Sequence, residues 1–175
     1  SYLNKAIKLN PKSKWAFLWL GVISSESKKF DTVTTLKWFT KALEIDPRFD
    51  LAHYNIAWNY LRQKPRNYVK AEKSFRKALA LNPDYKEAFY GLAMTYGYQN
   101  KYKIAHSYLS RAIEVDPLFL TAWKWRAIVN DEMKAYDKSL DDFSQAIKLD
   151  PANSNIYMRR ARVFTKKKLY NEAMD

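Results

Sequence analysis

The chain has 175 residues, 47% hydrophobic and 28% charged, a globular balance; its 3 Gly and 6 Pro exclude collagen-like, linker-like and turn-rich β architectures. It has no cysteine, so no disulfide, thiolate nucleophile or cysteine-built zinc site, and no apolar run reaches the ~20 residues that cross a bilayer. The 31 basic and 18 acidic residues leave a net charge of +13, which favours acidic partners, nucleic acid or anionic lipid without choosing among them. The chain opens on Ser1 rather than Met, as a fragment or processed chain does, and the compartment is not decided by sequence.

In chain order, residues 1–10 read as a lone helix closed by Leu9-Asn10-Pro11. The same closure recurs at Ile45-Asp46-Pro47, Leu81-Asn82-Pro83, Val115-Asp116-Pro117 and Leu149-Asp150-Pro151, with prolines 36, 36, 34 and 34 residues apart. Proline cannot continue a helix and pushes the residue before it out of the α region, and Asp or Asn there can turn the chain through its own side chain. A second break lies in mid-unit, at Lys28-Lys29, Lys64 to Asn67, Asn100-Lys101, Lys134-Ala135 and Lys167-Lys168, each followed by an aromatic: Phe30, Tyr68, Tyr102, Tyr136 and Tyr170. The unit is therefore helix A, short turn, helix B, proline turn. Helix A is expected over 14–27, 50–63, 86–99, 120–133 and 154–167.

At 100° per residue, Phe89, Leu92, Ala93 and Tyr96 share one side of helix A. Their counterparts are Phe17, Leu20, Gly21 and Ser24; His53, Ile56, Ala57 and Tyr60; and Trp123, Arg126, Ala127 and Asn130. Small residues at Gly21, Ala57, Ala93, Ala127 and Ala161 admit a close helix B, which answers with Ala42, Ala78, Ala112 and Ala146 beside Phe39, Phe75, Leu109 and Phe143. Phe89, Leu92, Ala93, Tyr96, Ala105, Leu109, Ala112 and Pro117 follow the tetratricopeptide signature almost position by position, and the whole chain resembles the tetratricopeptide repeat family. The resemblance implies an all-α fold, an α-solenoid of antiparallel helix pairs wound as a right-handed superhelix with helix A on the concave side. It implies a scaffold that holds a peptide or partner protein. The expected organisation is a single domain over 1–175: a partial repeat at 1–11, full repeats at 12–47, 48–83, 84–117 and 118–151, and a partial repeat at 152–175. Ser24 and Asn130 in place of Tyr, and Thr35 and Ser139 in place of Ala, imply looser packing in the first and fourth units.

No residue pattern points to catalysis, a metal or another cofactor. His53 falls in an aromatic core position, and His106 has no carboxylate at ligand spacing. Three glycines cannot build a phosphate cradle, and Asp137, Asp141 and Asp142 read as a solvated face of helix B.

The second stripe of helix A is the informative one. Its centres are Val22, Trp58, Met94, Ile128 and Arg162, and the next column is Leu18, Tyr54, Tyr90, Lys124 and Met158. Tyr98, Trp125 and Arg159 flank these columns, as do Trp15, Trp19, Leu51 and Leu61. A concave wall does not need so many large apolar residues to fold, so the stripe is expected to bind a partner, with packing between repeats as the alternative. Gly91 and Gly97 would leave room for a ligand backbone beside Tyr90 and Met94. Leu18, Val22, Tyr54, Trp58, Tyr90, Met94, Tyr98, Lys124, Trp125, Ile128, Arg159 and Arg162 are the candidate binding residues, apolar at one end and basic with Lys166 at the other, as suits a peptide or helix graded from apolar to acidic. The Lys–Asn pair with which some tetratricopeptide proteins clamp chaperone tails is not found at these positions.

Nucleic acid is the lesser alternative, through Lys70, Lys73, Arg76 and Lys77 on the outer face of helix B, Trp38 one repeat away, and Lys166 to Lys168. Both ends of the array are incomplete repeats. Residues 1–10, expected to bury Leu3, Ala6, Ile7 and Leu9 against the first helix A, could supply the helix B that the last repeat of another copy lacks. That contact would be a head-to-tail self-association.

Overall fold

Each repeated proline does close a helix. In the computed structural model, which describes residues 2–27 and 31–172, ten helices are found among the described residues: α1 Tyr2–Leu9, α2 Lys14–Glu26, α3 Thr32–Ile45, α4 Asp50–Arg62, α5 Tyr68–Leu81, α6 Lys86–Gly97, α7 Tyr102–Val115, α8 Leu120–Glu132, α9 Tyr136–Leu149 and α10 Ser154–Glu172. The five expected helix A starts coincide with α2, α4, α6, α8 and α10. Asp46, Asn82, Asp116 and Asp150, each before a Pro, have φ of −137°, −136°, −140° and −143°. Each donates its N–H to the carbonyl of the alanine four residues back, Ala42, Ala78, Ala112 and Ala146, so the last turn is satisfied while the proline leaves the helix. Asn10, Asp46 and Asp116 each turn the chain by accepting the N–H two residues on.

The mid-unit breaks vary. Asn100 and Lys134 adopt φ of 58° and 59°, and Lys101 and Ala135 return their N–H groups to the carbonyls of Tyr96 and Asn130. The longer second turn is capped instead by Asn67, whose side chain accepts from Lys70 N, and contains a cis Lys64–Pro65 bond. The first break, with Lys28, Lys29 and Phe30, lies outside the described residues. The fifth, expected at Lys167-Lys168, does not occur: α10 runs unbroken through both lysines. No Gly, Pro, Asn or Asp stands there to favour a turn, and Lys and Leu propagate a helix readily.

The chain divides into two compact units, residues 1–91 and 92–175, with the boundary inside α6. In the first, Phe17, Leu18, Phe39, Ala42, Phe49, Ala52 and Ile56 form a core joining α2, α3 and α4. Gly21 is there because a Cβ would collide with the Phe39 ring. Ile7 of α1 packs onto this core, but Leu9, the last residue of α1, is 79% exposed, contrary to expectation. Leu3 and Ala6 fall outside the side chains that are described. In the second unit, Ala127, Leu140, Phe143, Ala146, Ile156 and Val163 join α8, α9 and α10.

The two units expected to pack loosely are instead repaired by polar pairs. The Ser24 and Thr35 hydroxyls lie 2.8 Å apart, and Ser139 Oγ donates to Ala127 O at 2.8 Å. Asn130 Nδ2 donates to Asp142 Oδ2 at 2.9 Å. Asp142 is therefore not on a solvated face: it is 4% exposed and receives Arg126 Nε at 3.0 Å and Nη2 at 2.7 Å, while Arg126 Nη1 reaches Ser110 Oγ. Asp137 and Asp141 are exposed as expected. No helix among the described residues is long and apolar enough to cross a membrane.

Candidate functional site

Within residues 1–91 the structure brings Tyr54, Trp58 and Tyr90 together. Tyr54 and Trp58 are one turn apart on α4 and meet edge-on, centroids 6.4 Å apart. Trp58 meets Tyr90 of α6 at 5.8 Å, and both α4 rings rest edge-on against Phe75 of α5, at 5.9 and 5.7 Å. Tyr85, in the turn before α6, completes the group at 4.9 Å from Tyr54. Phe75 is wholly buried and forms the floor; Tyr54, Trp58, Tyr85 and Tyr90 are half-buried. Such tilted and edge-on pairs gain about 0.5–1.5 kcal/mol each beyond area burial. Tyr85 was not a sequence candidate. Its signal is the aromatic two residues after the proline, also present as Phe49 and Phe119.

Burial pushes the Tyr54 and Tyr85 phenols above their usual range. Glu87 adds to both and Asp50 to Tyr85, while the Trp58 indole partly offsets the effect at Tyr54. The indole N–H of Trp58 is itself buried without a hydrogen bond of good geometry.

The other candidates divide by burial. Leu18 is 4% exposed and Met94 6%: both are packing residues, not displayed ones. Val22 packs partly buried on the first core, as Ile128 does on the second. In residues 92–175, Tyr98 is 43% exposed, Lys124 and Trp125 are half-buried, and Arg159 and Arg162 are exposed, Arg159 with its Nε on Asn155 Oδ1. Gly91 makes no room for a ligand, because a Cβ there would strike the Phe75 ring; Gly97 is open on that side.

His53 is a packed core histidine whose Nε2 lies 3.1 Å from Pro47 O; burial lowers its pKa, as it does that of His106. No group of three or more His, Asp or Glu among the described residues is placed to hold a metal ion. Lys70, Lys73, Arg76 and Lys77 are exposed on α5, with Arg76 paired to Glu72. Trp38 is half-buried and lies on Phe17 at 6.2 Å, with the Lys41 ammonium 5.4 Å from both rings. Lys166 and Lys167 are ion-paired with Asp131 and Asp137.

Antiparallel helix pairs closed at a proline every 34 to 36 residues define a helical-repeat solenoid. Residues 90–154 match the family model described as Tetratricopeptide repeat, and solved tetratricopeptide proteins share the fold of the chain. YrrB, described as a TPR protein with an unusual peptide-binding site, superposes with a TM-score of 0.72 at 22% identity, covering 96% of this chain and 84% of its own. A thermophilic TPR protein of Thermus thermophilus gives 0.76 at 17% identity, covering 93% and 87%. The first TPR of Spaghetti bound to the HSP90 peptide SRMEEVD gives 0.63 at 16%, covering 67% and 94%. At these identities the likeness is one of fold. No curated protein matches the chain.

Proposed function

We propose that the protein is a non-enzymatic scaffold whose aromatic face on α4 and α6 binds a peptide or helix of a partner protein. The observation that carries this reading is the half-exposed group Tyr54, Trp58, Tyr85 and Tyr90 over the buried Phe75. Phe or Leu would fill the Trp58 position without burying an indole N–H that finds no hydrogen bond of good geometry, so the choice of Trp favours an anchor role. Tyrosine and tryptophan bring large rigid contact area at low entropic cost, which is what an anchor site needs. Solved proteins of this fold include two described by the peptides they bind or the site that binds them. The nucleic-acid alternative has exposed basic side chains on α5, with Trp38 half-buried against Phe17.

The test is selection of short random peptides on the intact chain, followed by affinity measurement with Trp58→Ala and Tyr90→Ala. Both variants also lose ring packing, so binding is compared below the melting temperature of each. An anchor truncation is expected to weaken binding about 30-fold, the equivalent of ~2 kcal/mol. Unchanged affinity in both folded variants would sink the reading.

A further inference from the structure

The aromatic face carries two carboxylates along its edge. Asp50 opens α4 one turn before Tyr54 and two before Trp58, so the helical period sets Asp50, Tyr54 and Trp58 on one stripe. Glu87 lies in the first turn of α6, three residues before Tyr90. Their present partners leave the charge largely unspent. Asp50 accepts from two neutral donors, Leu51 N at 2.8 Å and Asn82 Nδ2 at 3.2 Å. The Lys86 ammonium stands 3.9 Å from Glu87, at the limit of an ion pair, and the Glu87 side chain is 40% exposed. Both carboxylates add to the upward push that burial gives the phenol of Tyr85, which lies in the same group of rings.

Resting on the peptide-binding reading and naming its chemistry, we infer that this face takes a cationic side chain of the bound peptide, arginine or lysine, laid against Tyr54, Trp58 and Tyr90 with its charge on Asp50 and Glu87. The faces of Trp and Tyr rings are negative and attract a cation within about 6 Å, more strongly as water is excluded. The chain uses the same contact internally: Lys14 lies 4.6 Å from the Phe49 centroid and Arg126 4.8 Å from that of Trp123. The long-range field opposes the choice, because residues 1–91 hold 17 basic and 8 acidic side chains. Salt screens that field beyond ~8 Å at physiological ionic strength, so the groups in contact decide. Asp50 and Glu87 also suit the positive ends of their helices, a role that affects stability but confers no preference among peptides.

The experiment is the same selection on the intact 175-residue chain, read for composition. Arg or Lys beside an apolar residue is expected to be enriched. The Asp50→Asn, Glu87→Gln double variant is expected to bind the selected peptides about tenfold more weakly. Replacing the peptide's Arg by norleucine should cost the unaltered chain a similar factor and the double variant little. Peptides that depend on Trp58 but are acidic or uncharged, or equal binding by the double variant, would overturn the cationic inference and leave the peptide-binding reading standing. If no peptide is retained at about 100 µM, or the selected ones bind Trp58→Ala unchanged, both fall together.

Discussion

Asn59 is 1% exposed, and neither its carboxamide oxygen nor its nitrogen has a hydrogen-bond partner. Counted from the preceding proline, the same position holds Ile23, Thr95, Val129 and Val163 in the other repeats. An unpaired buried amide costs ~1–3 kcal/mol, so Asn59→Val is expected to raise the melting temperature by several degrees, read by circular dichroism. A fall would mean that the amide is bonded in solution. Asp142 is the opposite case, a buried carboxylate fully partnered by Arg126 and Asn130. Removing one member strands the other, so Asp142→Ala should cost about 3 kcal/mol, somewhat less than a fully buried pair because Arg126 keeps partial access to water. Replacing Arg126 and Asp142 together by Leu should recover most of the loss in a denaturant titration; no recovery would show that the pair contributes more than mutual neutralisation. The pair was legible in principle. Asp142 is five residues from Asp137, or about 140° around the helix, and Arg126 stands in a core stripe where only an opposite charge could satisfy it. Reading three nearby aspartates as one face concealed both signals.

At the scale of the helix, the proline closures were legible because they act locally. A missing N–H and a steric clash need no tertiary context, and the five helix A starts follow from them. What the sequence could not show is which small residue serves which neighbour. Gly91 and Gly97 look alike in a helix, yet Gly91 faces the Phe75 ring and Gly97 faces nothing within 4 Å. Gly91→Ala is therefore expected to destabilise by about one to three kcal/mol through overpacking, as extra methylenes do in full cores. Gly97→Ala should be neutral or add up to ~1 kcal/mol by helix propensity. Thermal melts of the two single variants decide it, and an equal response would deny the close contact of Phe75 with α6 its role. The continuity of α10 escaped for the converse reason. The break at Lys167-Lys168 was inferred from the period alone, with no residue there whose chemistry stops a helix. The burial of Leu18 and Met94 also lay beyond a helical wheel, which sorts side chains by angle but not by how deeply neighbouring helices cover them.

For the molecule as a whole, the buried His53 and the half-buried His106 are expected to set a pH dependence. His53 in the first unit and His106 in the second both have lowered pKa values, burial being the larger cause in each. Lys77 adds to the lowering at His53, and Arg126 and Lys138 at His106, while the Pro47 carbonyl and Asp50 oppose it at His53, as Asp142 does at His106. With the folded pKa below the unfolded one, the unfolded chain binds more protons between the two values. The stability each neutral ring contributes is thus complete above the unfolded value of about 6.5 and is lost as pH falls through it toward the folded pKa. Protonation also adds charge to a chain that already carries +13, which acts in the same direction and is reduced by salt. The melting temperature is therefore expected to be level above about pH 7 and to decline toward about pH 5 at fixed ionic strength. His53→Phe, which restores the aromatic present as Phe17 and Phe89, should remove part of that decline, and His106→Gln another part. Both variants keeping the full slope, in low and in high salt alike, would show that neither ring is held neutral by the fold and that the acid sensitivity arises elsewhere.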